Sequence, residues 1–165
     1  MIGRLNSAFG NIGNKSKNTT WLLFRFLSCG LLISHGYFEL FGDNAQAVTG
    51  RGMTSISVGD LFNYQLPMDI NALFVMAVIE FGGGILVLIG LWAHLVSLLI
   101  VLVMILTYLT LHLAWSPTFN GGELTALNTV IFLIFFSFGP GTLSLDSVLA
   151  ERRQEKRRDK MAEKF

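Results

Sequence analysis

Hydrophobic positions gather into four long runs, each interrupted by one or two polar residues that a lipid-facing helix would avoid. The runs cover about residues 21–41, 70–91, 95–115 and 123–140. A helix rises about 1.5 Å per residue and the hydrocarbon core of a bilayer is about 30 Å thick, so the first three runs are long enough to span it. The fourth run is shorter and needs slight bilayer thinning or little tilt. The pattern predicts an all-α protein, an antiparallel bundle of four transmembrane helices spanning residues 21–141.

The segments outside the runs differ from them in composition. Residues 1–20 are rich in Gly, Asn, Ser and Lys, which predicts a flexible leader. Residues 42–69 form a long connection with several glycines, predicted to be an external loop that folds over the bundle as a cap. Residues 142–165 alternate acidic and basic positions at helical spacing, which predicts a polar C-terminal helix.

Basic residues are unevenly distributed along the chain, although its net charge is only +1. They concentrate before the first run and in the C-terminal tail, whereas the connection 42–69 has only Arg51. Cytoplasmic segments carry the excess of Lys and Arg, so we expect both termini in the cytoplasm and the protein in the bacterial inner membrane. The first run is too long for the apolar part of a cleavable signal and is predicted to act as the insertion signal.

Composition excludes several functional classes. Cys29 is the single cysteine, so the chain cannot shuttle electrons through a thiol pair. It has no glycine-rich phosphate loop, no nucleophile elbow, and no basic nucleic-acid patch outside the tail. The expected partners are therefore the lipid bilayer and other membrane-protein subunits, with no role for nucleic acid.

Polar side chains in the runs are the candidate functional residues, because an ionisable group within a span is costly and is usually retained for function. Counting along each run places them in the outer, non-cytoplasmic half of the bundle. They are His35, Glu39, Glu80, His112, Glu123 and Asn128. A structural alternative is that His35 and Glu39, four residues apart on one helix face, simply pair with each other. His112 and Glu123 could equally be ordinary interfacial residues.

Histidine and carboxylate side chains are also the usual ligands of metal ions, and histidine is a ligand of haem. The Glu-x-x-His spacing of di-iron bundles is absent, and no His-x-x-x-His occurs. Haem ligation by His35 and His112 from neighbouring helices is geometrically conceivable. The spacing favours neither, and we expect no metal ligands, no haem and no covalently bound cofactor.

An ordered set of short motifs between about residues 21 and 147 resembles the DoxX family of four-helix membrane proteins. The motifs are Arg25, Gly30, Ser34-His35-Gly36, Leu40-Phe41-Gly42, Glu80-Phe81-Gly82-Gly83-Gly84, Leu88-Ile89-Gly90-Leu91, Asn120-Gly121-Gly122-Glu123, Gly139-Pro140-Gly141 and Ser144-Leu145-Asp146. The resemblance implies a four-helix bundle. For members related to the small subunit of thiosulfate:quinone oxidoreductase, it also implies electron transfer to membrane quinone.

Two positions depart from the family pattern. Glu39 stands where a lysine is common, and His94 stands where an arginine usually follows the Gly-Leu turn. An anion at position 39 disfavours holding an anionic substrate such as thiosulfate and favours pairing or protonation with His35.

Two functions follow from the resemblance and the polar residues. In the first, the chain is a subunit of a quinone-linked oxidoreductase. Glu80, His35 and Glu39 would then handle protons, and quinone or another ligand would be bound by His35, Glu80, His112, Glu123 and Asn128. The chain has no redox centre of its own, so a partner would supply one. In the second, it is a non-catalytic accessory subunit that stabilises a larger respiratory or photosynthetic membrane complex.

Overall fold

The chain folds mainly into α-helices. A computed structural model describes residues 2–42, 53–59, 61–67 and 70–162. Its helices are α1 (Ile2–Phe41), α2 (Ala72–Ile89), α3 (Ala93–Leu111), α4 (Glu123–Phe138) and α5 (Leu145–Ala162), with a short 3-10 turn at Pro117–Phe119. Two strands, β1 (Ser55–Val58) and β2 (Phe62–Gln65), pair antiparallel between α1 and α2.

Helices α1 to α4 pack side by side, each antiparallel to the next along the chain. The end of α1 meets the middle of α2 where Gly36 touches Phe81. The beginning of α3 meets the end of α4 where His94 bonds to the carbonyl of Phe136. The core between them is apolar and consists of Cys29, Leu32, Val87, Val96, Ile100, Val101, Met104, Phe132 and Phe135.

The outer surface of the bundle is also strongly apolar. Three of the described helices, α1, α2 and α3, are long and apolar enough to cross a membrane, and α4 is a shorter apolar helix. Large side chains such as Leu31, Phe38, Leu102 and Leu133 are about half exposed or more. A soluble protein seldom exposes so large an apolar surface, whereas lipid covers it at no cost.

Capping groups set the ends of the central helices. Asn71 precedes α2 and its side chain accepts a hydrogen bond from the backbone N–H of Leu73, and Gly90 ends the helix in the left-handed conformation. Helix α3 ends at Leu111, earlier than the predicted end at 115. The amide of Asn120 donates to the carbonyl of Leu111 and closes the helix there.

The structure corrects two expectations from the sequence. Residues 2–20 are not an irregular leader but continue α1 as an exposed helix, because helix propagation from a formed span costs less than starting a new helix. The fold is also not purely helical, because the connection between α1 and α2 contains the β1–β2 hairpin. The alternating Ser-Ile-Ser-Val sequence of β1 is typical of a strand.

The expected cap lies only partly within the described residues. Met53 and Leu66, which flank the hairpin, pack on a small cluster of Ala72, Met76 and Val103 from α2 and α3. The hairpin thus lies on one end of the bundle, here called the hairpin end. Residues 43–52, 60, 68 and 69 of the predicted cap, Met1 of the leader and residues 163–165 of the predicted tail helix lie outside the described residues.

The opposite end, here called the tail end, carries α5. Arg25 is almost fully buried there and donates hydrogen bonds to the carbonyls of Pro140 and Leu143 in the α4–α5 connection. From α5, the Asp146 carboxylate accepts from the backbone N–H groups of Trp92 and Ala93, at 2.9 and 3.0 Å. It therefore caps α3, which has no cap of its own.

Candidate functional site

A polar cavity of about 180 Å³ lies at the hairpin end of the bundle. All four bundle helices and the turn before α4 contribute to it. Its lining residues are His35, Glu39, Leu73, Met76, Glu80, Met104, Thr107, Leu111, His112, Gly121, Leu124, Thr125 and Asn128. Seven of these thirteen residues have polar side chains, although the surrounding core is apolar.

The centre of the polar wall is an imidazole–carboxylate pair between α1 and α2. Nδ1 of His35 lies 2.9 Å from Oε2 of Glu80, a hydrogen-bond distance. Glu80 is only 3% exposed, so its carboxylate has left water almost completely. A buried carboxylate needs a partner to offset its desolvation, and His35 provides it.

Glu39 joins this pair from the next turn of α1. Its Oε1 lies 3.7 Å from Nδ1 of His35, and its side chain is about one-third exposed. One ligand-type atom from each of His35, Glu39 and Glu80 lies within 4.8 Å of the other two. These three side chains could hold a metal ion, and they could also exchange protons with a bound ligand.

Close approach of the backbones of α1 and α2 brings these side chains together. A Cβ on Gly36 would lie 2.7 Å from the backbone nitrogen of Phe81, so only glycine fits there at the observed distance. Farther along the same crossing, a Cβ on Gly84 would lie 2.8 Å from Ile33. Small residues let membrane helices pack this closely. His35 and Glu80 immediately precede the closest point.

Helices α3 and α4 supply the other wall of the cavity. Nδ1 of His112 lies 2.8 Å from the carbonyl oxygen of Asn120, to which it donates its proton. Its Nε2 atom is then the free acceptor of the ring. Asn128, one turn into α4, is 5% exposed, and its side-chain amide has no hydrogen-bond partner among the described residues.

Five of the six residues selected from the sequence therefore meet in one cavity. They are His35, Glu39, Glu80, His112 and Asn128. Glu123 does not line the cavity and is exposed in the first turn of α4, where its charge suits the positive end of the helix dipole. The roles assigned to the five remain predictions.

Two polar lining residues were not selected from the sequence, Thr107 and Thr125. Thr125 precedes Asn128 by three residues and so shares its helix face, a signal that was available in the sequence. The hydroxyl of Thr107 donates to the carbonyl of Val103 in its own helix, and no sequence signal distinguished it from an ordinary helix threonine. Asp146 caps α3 from a distant position in the chain, and no local sequence signal marks it as a cap for that helix.

Comparisons with known proteins agree with the motifs. The family model described as DoxX matches residues 20–113, which include α2, α3, the hairpin and four of the five cavity residues. An uncharacterized protein of Haemophilus influenzae is 36% identical over 128 residues, which is 74% of this chain and 85% of that relative. No solved structure gives a significant match. The chain belongs to the DoxX family.

Proposed function

We propose that the chain is a four-span membrane subunit of a quinone-linked oxidoreductase and that its polar cavity binds the quinone head group. In this arrangement α1 to α4 cross the membrane, both termini are cytoplasmic, and the cavity opens toward the non-cytoplasmic side. The excess of basic residues in the leader and the tail supports this orientation. The fold alone does not specify the activity, so the proposal depends on the cavity.

The hydrogen-bonded pair formed by His35 and the buried Glu80 carries the proposal. An acidic residue at the centre of a membrane span costs about 2.5 to 3.5 kcal/mol, and a bundle built only for stability would place an apolar residue there. A quinone accepts hydrogen bonds through two carbonyl oxygens and, once reduced, donates through two hydroxyls. A proton can move between His35 and Glu80, so the pair can donate a hydrogen bond to the quinone or accept one from the reduced form.

The opposite wall supplies complementary groups for the far side of the ring. Asn128 has an amide without a partner among the described residues, and it can donate to one quinone carbonyl. His112 keeps Nε2 free because its Nδ1 bonds to the carbonyl of Asn120. A ring held between His35 and Asn128 would satisfy a buried polar group that the described protein residues leave unpaired.

The size of the cavity limits what it can enclose. Its volume of about 180 Å³ is enough for a single ring with small substituents but too small for an isoprenoid tail. Sites that enclose a whole drug-sized ligand measure roughly 300 to 1,000 Å³. We therefore place the tail outside the bundle, in lipid along the apolar surface.

Electrons would come from a partner subunit. The sequence contains one cysteine, so it cannot hold an iron–sulfur cluster, and it has no nucleotide-binding glycine motif for a flavin. The side chains of His35 and Glu39 are both partly exposed, at 46% and 36%, so they would form the route by which protons enter or leave the buried Glu80. The chain would thus bind quinone and manage its protons, while the partner oxidises the donor.

Quinone binding by the purified chain tests the proposal. A short-chain ubiquinone analogue is titrated into the detergent-solubilised protein and binding is followed by tryptophan fluorescence or calorimetry. We expect saturable binding that Glu80→Gln weakens by about tenfold or more, since Gln cannot take up a proton. Glu123→Gln, at the same end but outside the cavity, is the matched control and keeps the wild-type affinity. No saturable binding, or equal loss in both variants, would refute the proposal.

A second candidate, an accessory subunit of a larger membrane complex, is favoured by two glycines that face outward. A Cβ at Gly30 on α1 or at Gly82 on α2 would meet nothing within 4 Å, so another helix could approach the backbone there. On this reading, Gly82→Leu would abolish co-purification of a partner from native membranes, and Glu80→Gln would not. Native mass spectrometry of gently solubilised membranes reads out both partners and bound quinone.

A further inference from the structure

We propose that the wall of the cavity formed by α1 and α2 binds one divalent transition-metal ion through His35, Glu39 and Glu80. This inference goes beyond the proposed function and does not depend on it. A cation here would take up His35 and Glu80, which the proposed quinone site also uses, so the ion and the quinone would compete for this wall of the cavity. Each ligand can be titrated in the absence of the other.

The distances between the donor atoms suit a common ion. Zinc and similar ions bind imidazole nitrogen and carboxylate oxygen at about 2.0 to 2.2 Å, which in a tetrahedron separates neighbouring donors by about 3.4 Å. Nδ1 of His35 lies 2.9 Å from Oε2 of Glu80 and 3.7 Å from Oε1 of Glu39. These separations lie on either side of the ideal value, so small side-chain rotations would bring all three donors onto one ion.

Backbone structure holds the three donors in place without the ion. His35 and Glu39 are one helical turn apart on the same face of α1. Glu80 reaches them from α2 because that helix crosses α1 at the tight Gly36 contact, one residue beyond His35. A preformed set of donors lowers the cost of ordering them on binding.

The charges of the cavity favour a cation. Glu39 and Glu80 bring two carboxylates into one small space, and no lysine or arginine is among the described residues that line the cavity. Two carboxylates this close repel each other, and a divalent ion would turn that repulsion into attraction. The imidazole donor favours zinc, iron(II) or cobalt(II) over magnesium and calcium, which prefer oxygen ligands.

Asn128 gives an independent indication of an occupant. Asn128 is only 5% exposed and lines the same cavity. Its amide has no hydrogen-bond partner among the described residues. Three protein donors leave at least one coordination position for water or a ligand, as in catalytic metal sites. A water in that position would give the amide of Asn128 the hydrogen bond it lacks.

Linear spacing could not reveal this site. The familiar helical metal motifs place two ligands three or four residues apart on one helix. The two ligands are a glutamate and a histidine in Glu-x-x-His, and two histidines in His-Glu-x-x-His. Here the pair on α1 is His35 and Glu39, an ordinary spacing for a surface ion pair, and the third donor comes from a different helix. Only the crossing of α1 and α2 brings the set together.

Cobalt(II) titration of the full-length protein in detergent tests the inference. Visible absorption reports the coordination environment of the ion, and equilibrium dialysis gives the number bound. We expect one Co²⁺ per chain, displaced by Zn²⁺ and not by an equal concentration of Mg²⁺. His35→Gln and Glu39→Gln should each weaken binding by about tenfold or more, because each removes one of three ligands. Glu123→Gln should bind as the wild type does.

Two results would overturn the metal site. One is the absence of saturable binding at one ion per chain. The other is equal weakening in Glu123→Gln, which would assign the ion to surface carboxylates in general. Circular dichroism and gel filtration confirm that each variant is folded, and Glu39→Gln, which alters a partly exposed side chain, remains informative if His35→Gln unfolds. Quinone titration without metal separates this outcome from that of the proposed function.

Discussion

Gly36 lies directly against the backbone of Phe81, so closely that a Cβ atom on Gly36 would be 2.7 Å from the amide nitrogen of Phe81. Each of these residues follows a member of the polar pair, the partly exposed His35 on α1 and the buried Glu80 on α2. The separation of the two helices and the length of the His35–Glu80 hydrogen bond are thus set by one contact. A side chain at position 36 would change both.

Gly36→Ala should therefore damage stability and binding together. The added methyl group would push α1 away from α2, at a cost of about 1 to 3 kcal/mol in the free energy of unfolding, as for overpacked cores. The His35–Glu80 bond would lengthen, and quinone affinity would fall with it. Thermal unfolding in detergent and quinone titration measure the two effects.

Gly30→Ala is the matched control, since it lies on the same helix and its Cβ would meet nothing within 4 Å. Alanine is the better helix former, so this variant should be as stable as the wild type or slightly more stable. If Gly36→Ala behaved in the same way, the crossing would not be the feature that positions the polar pair.

The sequence predicted the helices but not the contact between α1 and α2. Four apolar runs and the polar residues in them predicted the helices and the depth of His35 and Glu80, because hydrophobicity and helical rise depend only on local sequence. The sequence also contains the three consecutive glycines Gly82–Gly84, and small residues are typical of closely packed membrane helices. It could not show that Gly84 faces α1 whereas Gly82 faces outward, since that depends on how α2 is rotated against its neighbours.

Arg25 offers a second prediction. Its side chain is 3% exposed and donates to two carbonyls of the α4–α5 connection. A hydrogen bond from a charged group contributes about 1.5 to 3 kcal/mol, so Arg25→Met should lower the free energy of unfolding by about 3 kcal/mol or more. Chemical denaturation followed by circular dichroism measures this loss.

Two variants show whether geometry or charge matters at this position. Arg25→Lys keeps the charge but cannot reach both carbonyls with one planar group, so it should restore little of the stability. Arg4→Met, on the exposed part of the same helix, should be neutral. Full rescue by lysine would mean that charge, and not the fork of hydrogen bonds, holds the connection.

Asp146 tests the link between α5 and the bundle. Its carboxylate accepts from the N–H groups of Trp92 and Ala93, and its own N–H donates to the carbonyl of Gly90. Asp146→Ala removes the cap of α3 and should cost about 1 kcal/mol, within the usual range for a lost N-terminal cap. Hydrogen exchange at Trp92 and Ala93 should become faster. Glu151→Ala, an exposed acid on α5, is the control and should leave exchange there unchanged.

The sequence does not reveal this cap, because the N–H donors at Trp92 and Ala93 lie far along the chain from the Asp146 carboxylate. Caps are normally sought within the same turn, and Trp92, which precedes α3, provides no capping side-chain hydrogen bond. Asp146 looked like an ordinary acidic residue in the first turn of α5. Only the folding of α5 back onto the α2–α3 turn gives it the second role.

Asn128 yields a prediction in which stability and binding change in opposite directions. Asn128 is 5% exposed and its amide borders the cavity, where it has lost part of its hydration without gaining a protein partner among the described residues. Asn128→Leu, which keeps the number and branching of the side-chain heavy atoms, should therefore raise the free energy of unfolding. The same change removes a donor to the proposed quinone ring, so quinone affinity should fall by about tenfold, the value of one good hydrogen bond.

Thr129→Val on the same helix is the control for this pair of effects. Its hydroxyl already donates to the carbonyl of Thr125 and does not line the cavity, so valine should change neither quinone affinity nor stability by more than about 0.5 kcal/mol. When a residue that is kept for function at a cost in stability is replaced, the protein becomes more stable. If Asn128→Leu were instead destabilised with its affinity intact, the amide would have a structural role and the quinone would not contact α4.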